Sequence, residues 1–160
     1  MSFDVTPTTD AAVDYAGLDA SARALLDGES DRVANAANLS ALVYHALPHV
    51  NWVGFYFFDG DELVVGPFQG KPACVRIPLV RGVCGAAART RTTQRIADVH
   101  AVADHIACDA DSRSEIVVPL VRDGELIGVF DLDSPVPNRF GDDDQAGLEA
   151  IAATFVASLR

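Results

Sequence analysis

Two apolar runs, residues 115–121 and 126–132, are separated by Arg122-Asp123-Gly124-Glu125. An Asp-Gly step between two β-like runs is a strong hairpin signal, because the turn that matches strand twist needs positive φ at its centre. That step commits the second half of the chain to antiparallel pairing. A second hairpin is predicted where residues 51–58 (NWVGFYFF) meet residues 62–65 across Asp59-Gly60-Asp61. Residues 66–72 (GPFQGKP) read as a Gly/Pro loop leading to Cys74 and a strand over 75–79; residues 93–99 offer one more short strand. Helical spacing covers 10–27 and 31–47. In the second of these, Leu39, Leu42, Val43 and Ala46 form one stripe, Asp31 is the expected N-cap and Pro48 the stop. A short Ala-rich helix is expected over 85–89. A last helix starts at Asp142–Asp144, whose acids suit its dipole, and buries Leu148, Ile151, Ala152 and Phe155. Helices first, hairpins next and a helix last describe an α+β sandwich built on one sheet. The 160 residues accommodate a loose arm at 1–9 and one domain over 10–160.

Composition narrows the partners. There are 23 acidic and 12 basic residues, a formal charge of −11, and Lys occurs once, at Lys71. Phosphate backbones and anionic membranes need clustered cations, so neither nucleic acid nor membrane is an expected partner. The N-terminal residues lack a secretory pattern, and no apolar run approaches the roughly 20 residues of a membrane span. A soluble, cytoplasmic protein is expected. In a reducing compartment a structural disulfide is not expected, and the three cysteines, Cys74, Cys84 and Cys108, cannot all pair. Their spacings of ten and twenty-four residues do not match zinc-binding pairs. No phosphate-binding Gly motif is present, and no metal or cofactor is expected.

Chemistry concentrates between Cys108 and Asp133. Cys108 lies in a polar loop, His105-Ile106-Ala107-Cys108-Asp109-Ala110-Asp111-Ser112, where an inert core thiol would be out of place, although the adjacent acids oppose thiolate formation. Asp131 and Asp133 are two apart on a strand and so share a face; neighbouring carboxylates cannot both ionise cheaply. Glu115 starts the neighbouring strand and could reach the same pocket. A thiol beside protonatable carboxylates suits attack on a sulfoxide, whose oxygen must collect protons while the thiol becomes a sulfenic acid. A second cysteine then condenses with it, and an external dithiol reduces the disulfide. Cys84, near the start of a short helix, gains from the dipole as a thiolate, and Cys74 sits where a loop enters a strand. By period two, Trp52, Tyr56 and Phe58 share a face with Gly54, and Phe55 and Phe57 take the other; Trp52 and Tyr56 are the candidates for a cavity wall. Asp98 is a lone acid that could meet a ligand ammonium, or simply a surface acid. The four histidines, His45, His49, His100 and His105, have no required role.

Five segments together resemble the free methionine-(R)-sulfoxide reductases of GAF fold: 51–56 (NWVGFY), 66–74 (GPFQGKPAC), 82–85 (GVCG), 105–119 (HIACDADSRSEIVVP) and 128–133 (GVFDLD). The resemblance runs from about Asp31 to Phe155 and includes all three cysteines. It implies a GAF fold: a central antiparallel sheet with the N- and C-terminal helices on one face, and loops and a short helix enclosing a pocket on the other. It implies Cys108 as the nucleophile, Cys74 as its usual disulfide partner and Cys84 as an alternative resolver or relay. Glu115, Asp131 and Asp133 would bind the sulfoxide oxygen, with Trp52 and Tyr56 in the segment walling the methyl and thioether end. It implies the free amino acid as substrate, thioredoxin as reductant and a homodimer whose contact the first helices could supply. Backbone N–H groups at 82–85 could hold the substrate carboxylate. The rival readings are a GAF module that binds a small molecule and signals, or a thiol redox sensor.

Overall fold

Asp123 and Gly124 adopt φ of 51° and 79°, so the turn joining the two apolar runs has the positive-φ geometry a tight hairpin requires. The computed structural model describes residues 12–106 and 108–160; the arm expected at 1–9 lies outside the described residues. The elements are α1 (Tyr15–Leu26), α2 (Arg32–Ala46), β1 (Trp52–Phe58), β2 (Glu62–Gly70), β3 (Arg76–Pro78), α3 (Gly82–Thr90), β4 (Gln94–Ile96), a 3-10 turn (Val99–Ala101), β5 (Ser114–Arg122), β6 (Glu125–Ser134) and α4 (Asp142–Ser158). The strands form one antiparallel sheet in the order β3-β2-β1-β6-β5-β4. This is the expected α+β arrangement.

The segment expected as a Gly/Pro loop is instead the second half of β2. A register shift explains how the strand tolerates a proline: Gly54 pairs with Phe68 but Tyr56 with Val65, so Gly66 and Pro67 together oppose Phe55. A bulge leaves one residue outside the ladder, where the missing N–H of Pro67 costs no hydrogen bond. Helix α3 likewise begins three residues before its expected start and takes Cys84 into its first turn.

Two apolar layers flank the sheet. On one face α1, α2 and α4 pack Leu39, Val43, Leu148, Ile151 and Phe155 against Val53, Phe55, Ile116, Phe130 and Leu132. Asp31 caps α2 as expected, accepting from the Ala34 N–H at 2.8 Å. On the other face Trp52, Tyr56, Val117 and Val129 pack with α3 through Val83, Cys84, Ala87 and Ala88. The alternation along β1 assigns its aromatics as the sequence predicts, Trp52 and Tyr56 to this second face and Phe55 to the first. No helix among the described residues is long and apolar enough to cross a membrane.

Candidate active site

The second face ends in a cavity of about 40 Å³, enough for a few waters or the polar end of a small ligand. Strand register supplies its acids. Glu115 on β5 pairs directly with Asp133 on β6, and Asp131 pairs with Gly54 on β1. All three carboxyls line the cavity. Gly54 opposite Asp131 keeps the wall thin: a Cβ there would lie 2.3 Å from the Phe68 Cβ and 2.8 Å from the Trp52 ring. Trp52 accordingly stacks on Phe68 at 5.1 Å and on Tyr56 at 5.8 Å.

The side-chain donors of the two wall aromatics are spent on the chain segment that carries Cys74. Trp52 Nε1 donates to the Lys71 carbonyl at 3.1 Å, and the Tyr56 hydroxyl donates to the Cys74 carbonyl at 3.2 Å. Opposite this segment, Asn51 Nδ2 donates to Asp109 Oδ2 at 3.4 Å and to Ser112 Oγ at 3.3 Å, tying the cysteine loop to the start of β1. Lys71 and Asp111 pair across the two loops at 2.7 Å. Between them runs a disulfide, Cys74–Cys108, with Cα atoms 5.5 Å apart, while Cys84 remains a buried free thiol. The disulfide is the Cys108–Cys74 pair that the resemblance implies, and the place of Cys108 beside the acids in a cavity distinguishes it from a surface staple.

Burial dominates the electrostatics. Glu115 and Asp131 are each only 5% exposed. Desolvation, reinforced by the neighbouring acids, raises Glu115 and Asp133 well above ordinary carboxyls; Asp131 is pushed up to about 6, burial outweighing the hydrogen bonds that favour its anion. Burial thus favours the protonated forms of Glu115 and Asp133. Cys84 is also raised, first by burial and then by Asp131 and Glu115. This corrects the expectation that the helix start favours a Cys84 thiolate: three acids and a dry site outweigh a partial dipole charge. Cys84 Sγ lies 3.9 Å from Glu115 Oε1 as a weak donor. Asp131 Oδ1 is buried with no hydrogen-bond partner among the described residues.

His105, read from the sequence as an idle loop residue, lines the cavity with Nε2 3.8 Å from Glu115 Oε2. Burial holds its imidazole below its ordinary value, which disfavours a charged pair with Glu115. Asp109 and Ser112 were also missed; their contacts with Asn51 become visible only once the strands pair. Asp98 is not brought to the cavity. Its carboxylate accepts from the His100 N–H at 3.0 Å and caps the 3-10 turn. The start of α3 does face the site, with Gly82, Val83 and Cys84 in the cavity wall.

The comparisons accord with this geometry. The GAF domain sequence model matches residues 7–159. A protein from Escherichia coli (strain K12) named free methionine-R-sulfoxide reductase is 54% identical over 139 residues, 87% of this chain and 84% of its own. The structure of a Staphylococcus aureus free methionine-R-sulfoxide reductase in complex with substrate superposes with a TM-score of 0.90 at 47% identity, covering 96% of this chain and all of that one. A Burkholderia vietnamiensis protein assigned as a GAF sensor is 65% identical, with a TM-score of 0.88, covering 91% of this chain and 92% of that chain. A sheet with helices on one face and a cysteine-and-acid cavity on the other, matched by these relatives over most of their length, places the chain in the GAF-domain family of free methionine-R-sulfoxide reductases.

Proposed function

We propose that the protein reduces free L-methionine-(R)-sulfoxide to methionine, using Cys108 as nucleophile and Cys74 as the cysteine that resolves it. The observation that carries this reading is one cavity lined by Cys108, Glu115, Asp131 and Asp133, with Cys108 joined by a disulfide to Cys74 and burial favouring the neutral forms of Glu115 and Asp133. In the reduced protein the Cys108 thiolate attacks the sulfoxide sulfur. The S–O bond breaks, oxygen passes to Cys108 as a sulfenic acid, and the substrate sulfur, reduced by two electrons, leaves as a thioether. The neutral acids serve this step because an oxygen losing its bond to sulfur gains negative charge, and a proton donor stabilises that charge more in a dry site than in water. Glu115 and Asp133 are the donors; Asp131 Oδ1, without a partner among the described residues, has its bonding capacity left for a ligand. The Cys74 thiol then displaces water from the sulfenic acid and forms the disulfide, which a dithiol of the thioredoxin class reduces.

Preference for the free amino acid follows from enclosure. A small zwitterion would lie between the Trp52 and Tyr56 wall and the start of α3, whose N–H groups would receive its carboxylate; a residue within a peptide would have to thread between the two cysteine-bearing loops. The test is NADPH consumption with L-methionine-(R)-sulfoxide, thioredoxin and thioredoxin reductase. Turnover is expected, abolished by Cys108→Ser, with peptide-bound methionine sulfoxide reduced far more slowly. Tight binding without turnover would instead support a sensor, the role assigned to the Burkholderia relative.

A further inference from the structure

Cys84, which the proposed reaction does not consume, sits in a donor set of its own. Its Sγ and one carboxylate oxygen each from Glu115 and Asp131 lie within 4.8 Å of one another, all three residues buried. Around a tetrahedral zinc ion, with bonds of about 2.0–2.3 Å, neighbouring ligand atoms are about 3.3–3.8 Å apart. The Cys84 Sγ to Glu115 Oε1 distance is already 3.9 Å, so side-chain shifts of about 1 Å complete the triangle. His105 Nε2 lies 3.8 Å from the other Glu115 oxygen, Oε2, outside the set of three. An independent sign that the set is incomplete comes from Asp131: only 5% exposed and lining the cavity, it has Oδ1 without a partner among the described residues.

We propose that Cys84, Glu115 and Asp131 form a binding site for a thiophilic divalent cation of the Zn²⁺ class. One thiolate and two carboxylates are ligand types zinc accepts, whereas Ca²⁺ and Mg²⁺ require more oxygens and no sulfur. The sequence conceals the site because its ligands come from α3, β5 and β6, with no short Cys or His spacing to mark them. Binding does not depend on the Cys74–Cys108 redox state, since neither sulfur is a ligand. If the proposed reductase activity holds, the cation occupies the carboxyls meant for the sulfoxide oxygen and inhibits in competition with substrate.

The direct test uses the oxidised protein, in which Cys84 is the one remaining thiol of the three in the chain. Titration with Co²⁺ as a spectroscopic probe should give one equivalent bound and a near-ultraviolet thiolate-to-cobalt charge-transfer band, displaced by Zn²⁺. The isosteric Asp131→Asn should weaken Zn²⁺ binding by about tenfold or more, and Cys84→Ser should abolish the band, each with an unchanged far-ultraviolet circular dichroism spectrum. No charge-transfer band, or a band that persists in Cys84→Ser, overturns the proposal. Because no turnover is measured, a failure here is separate from a failure of the reductase reading.

Discussion

The buried carboxyl of Asp131 should weaken the fold at neutral pH, and removing its charge should strengthen it. Folding moves this group from an ordinary 3.8 to about 6, mainly because burial penalises the anion. At roughly 1.4 kcal/mol per pH unit the displacement is worth about 3 kcal/mol. The native state binds more protons than the unfolded chain between those two values, so stability falls as pH rises from about 4 to 6, and the whole cost is present above that. Asp131→Asn keeps the shape and an acceptor for the neighbouring Glu115 proton but cannot ionise. The two oxidised proteins should therefore unfold alike near pH 4, with the variant pulling ahead as pH rises, by up to about 3 kcal/mol at pH 8. For a chain of this size that is a gain of about 6–12 °C in melting temperature. Urea unfolding from pH 4 to 8, with the disulfide intact, reads the difference directly. A gap that stays constant with pH, or a variant that is weaker at pH 8, would refute the assignment of a desolvation cost to Asp131.

Three further outcomes follow from single contacts. Gly54→Ala sets a Cβ 2.3 Å from that of Phe68 and should destabilise the protein by about 1–3 kcal/mol in urea unfolding, a wild-type midpoint denying the close approach. Tyr56→Phe removes the hydroxyl that donates to the Cys74 carbonyl, costing about 1 kcal/mol and speeding amide hydrogen exchange over residues 71–75; unchanged exchange there would mean that the hydroxyl does not hold the segment. Reducing the Cys74–Cys108 disulfide, whose cysteines are 34 residues apart, should lower stability by up to about 4 kcal/mol through the freed chain entropy, and coincident urea midpoints for the two redox forms would contradict this.

The parts of the structure that obey periodicity were legible in the sequence. Alternation along β1 sorted Trp52 and Tyr56 from Phe55, and the Asp-Gly turn announced the β5–β6 hairpin; counting from that turn alone would set Glu115 opposite Leu132, and it is the irregularity between Leu120 and Val121 that moves its partner to Asp133. The second half of β2 was not legible, because Gly66 and Pro67 look like breakers until a bulge opposite Phe55 absorbs them. His105 was not legible either. A loop histidine carries no period, and its contact with Glu115 depends on how the 102–113 segment folds back, pinned by the Val99 N–H to the Arg113 carbonyl at 2.8 Å. The thiol of Cys84 was misjudged for a related reason: the helix start is visible in one dimension, while the acids that oppose a thiolate arrive from other strands.

Desolvation links these failures to the chemistry. A sequence shows which groups can ionise, but their protonation is set by the amount of protein between them and water, a property of the finished fold. In this chain the sheet separates two kinds of burial. The helical face buries apolar residues, Phe55, Phe130 and Phe155 among them, and supplies net stability. The opposite face buries Glu115, Asp131 and Cys84 beside one another, which costs stability and favours the protonated forms of these groups. The two faces meet along β1, β5 and β6, where alternate residues point to opposite sides. The Ile116 and Leu132 that anchor the stable layer therefore also fix Glu115, Asp131 and Asp133 in register on the reactive one. A one-residue slip of β6 would exchange Leu132 for an acid in the core, so the apolar layer enforces the acid geometry without touching it.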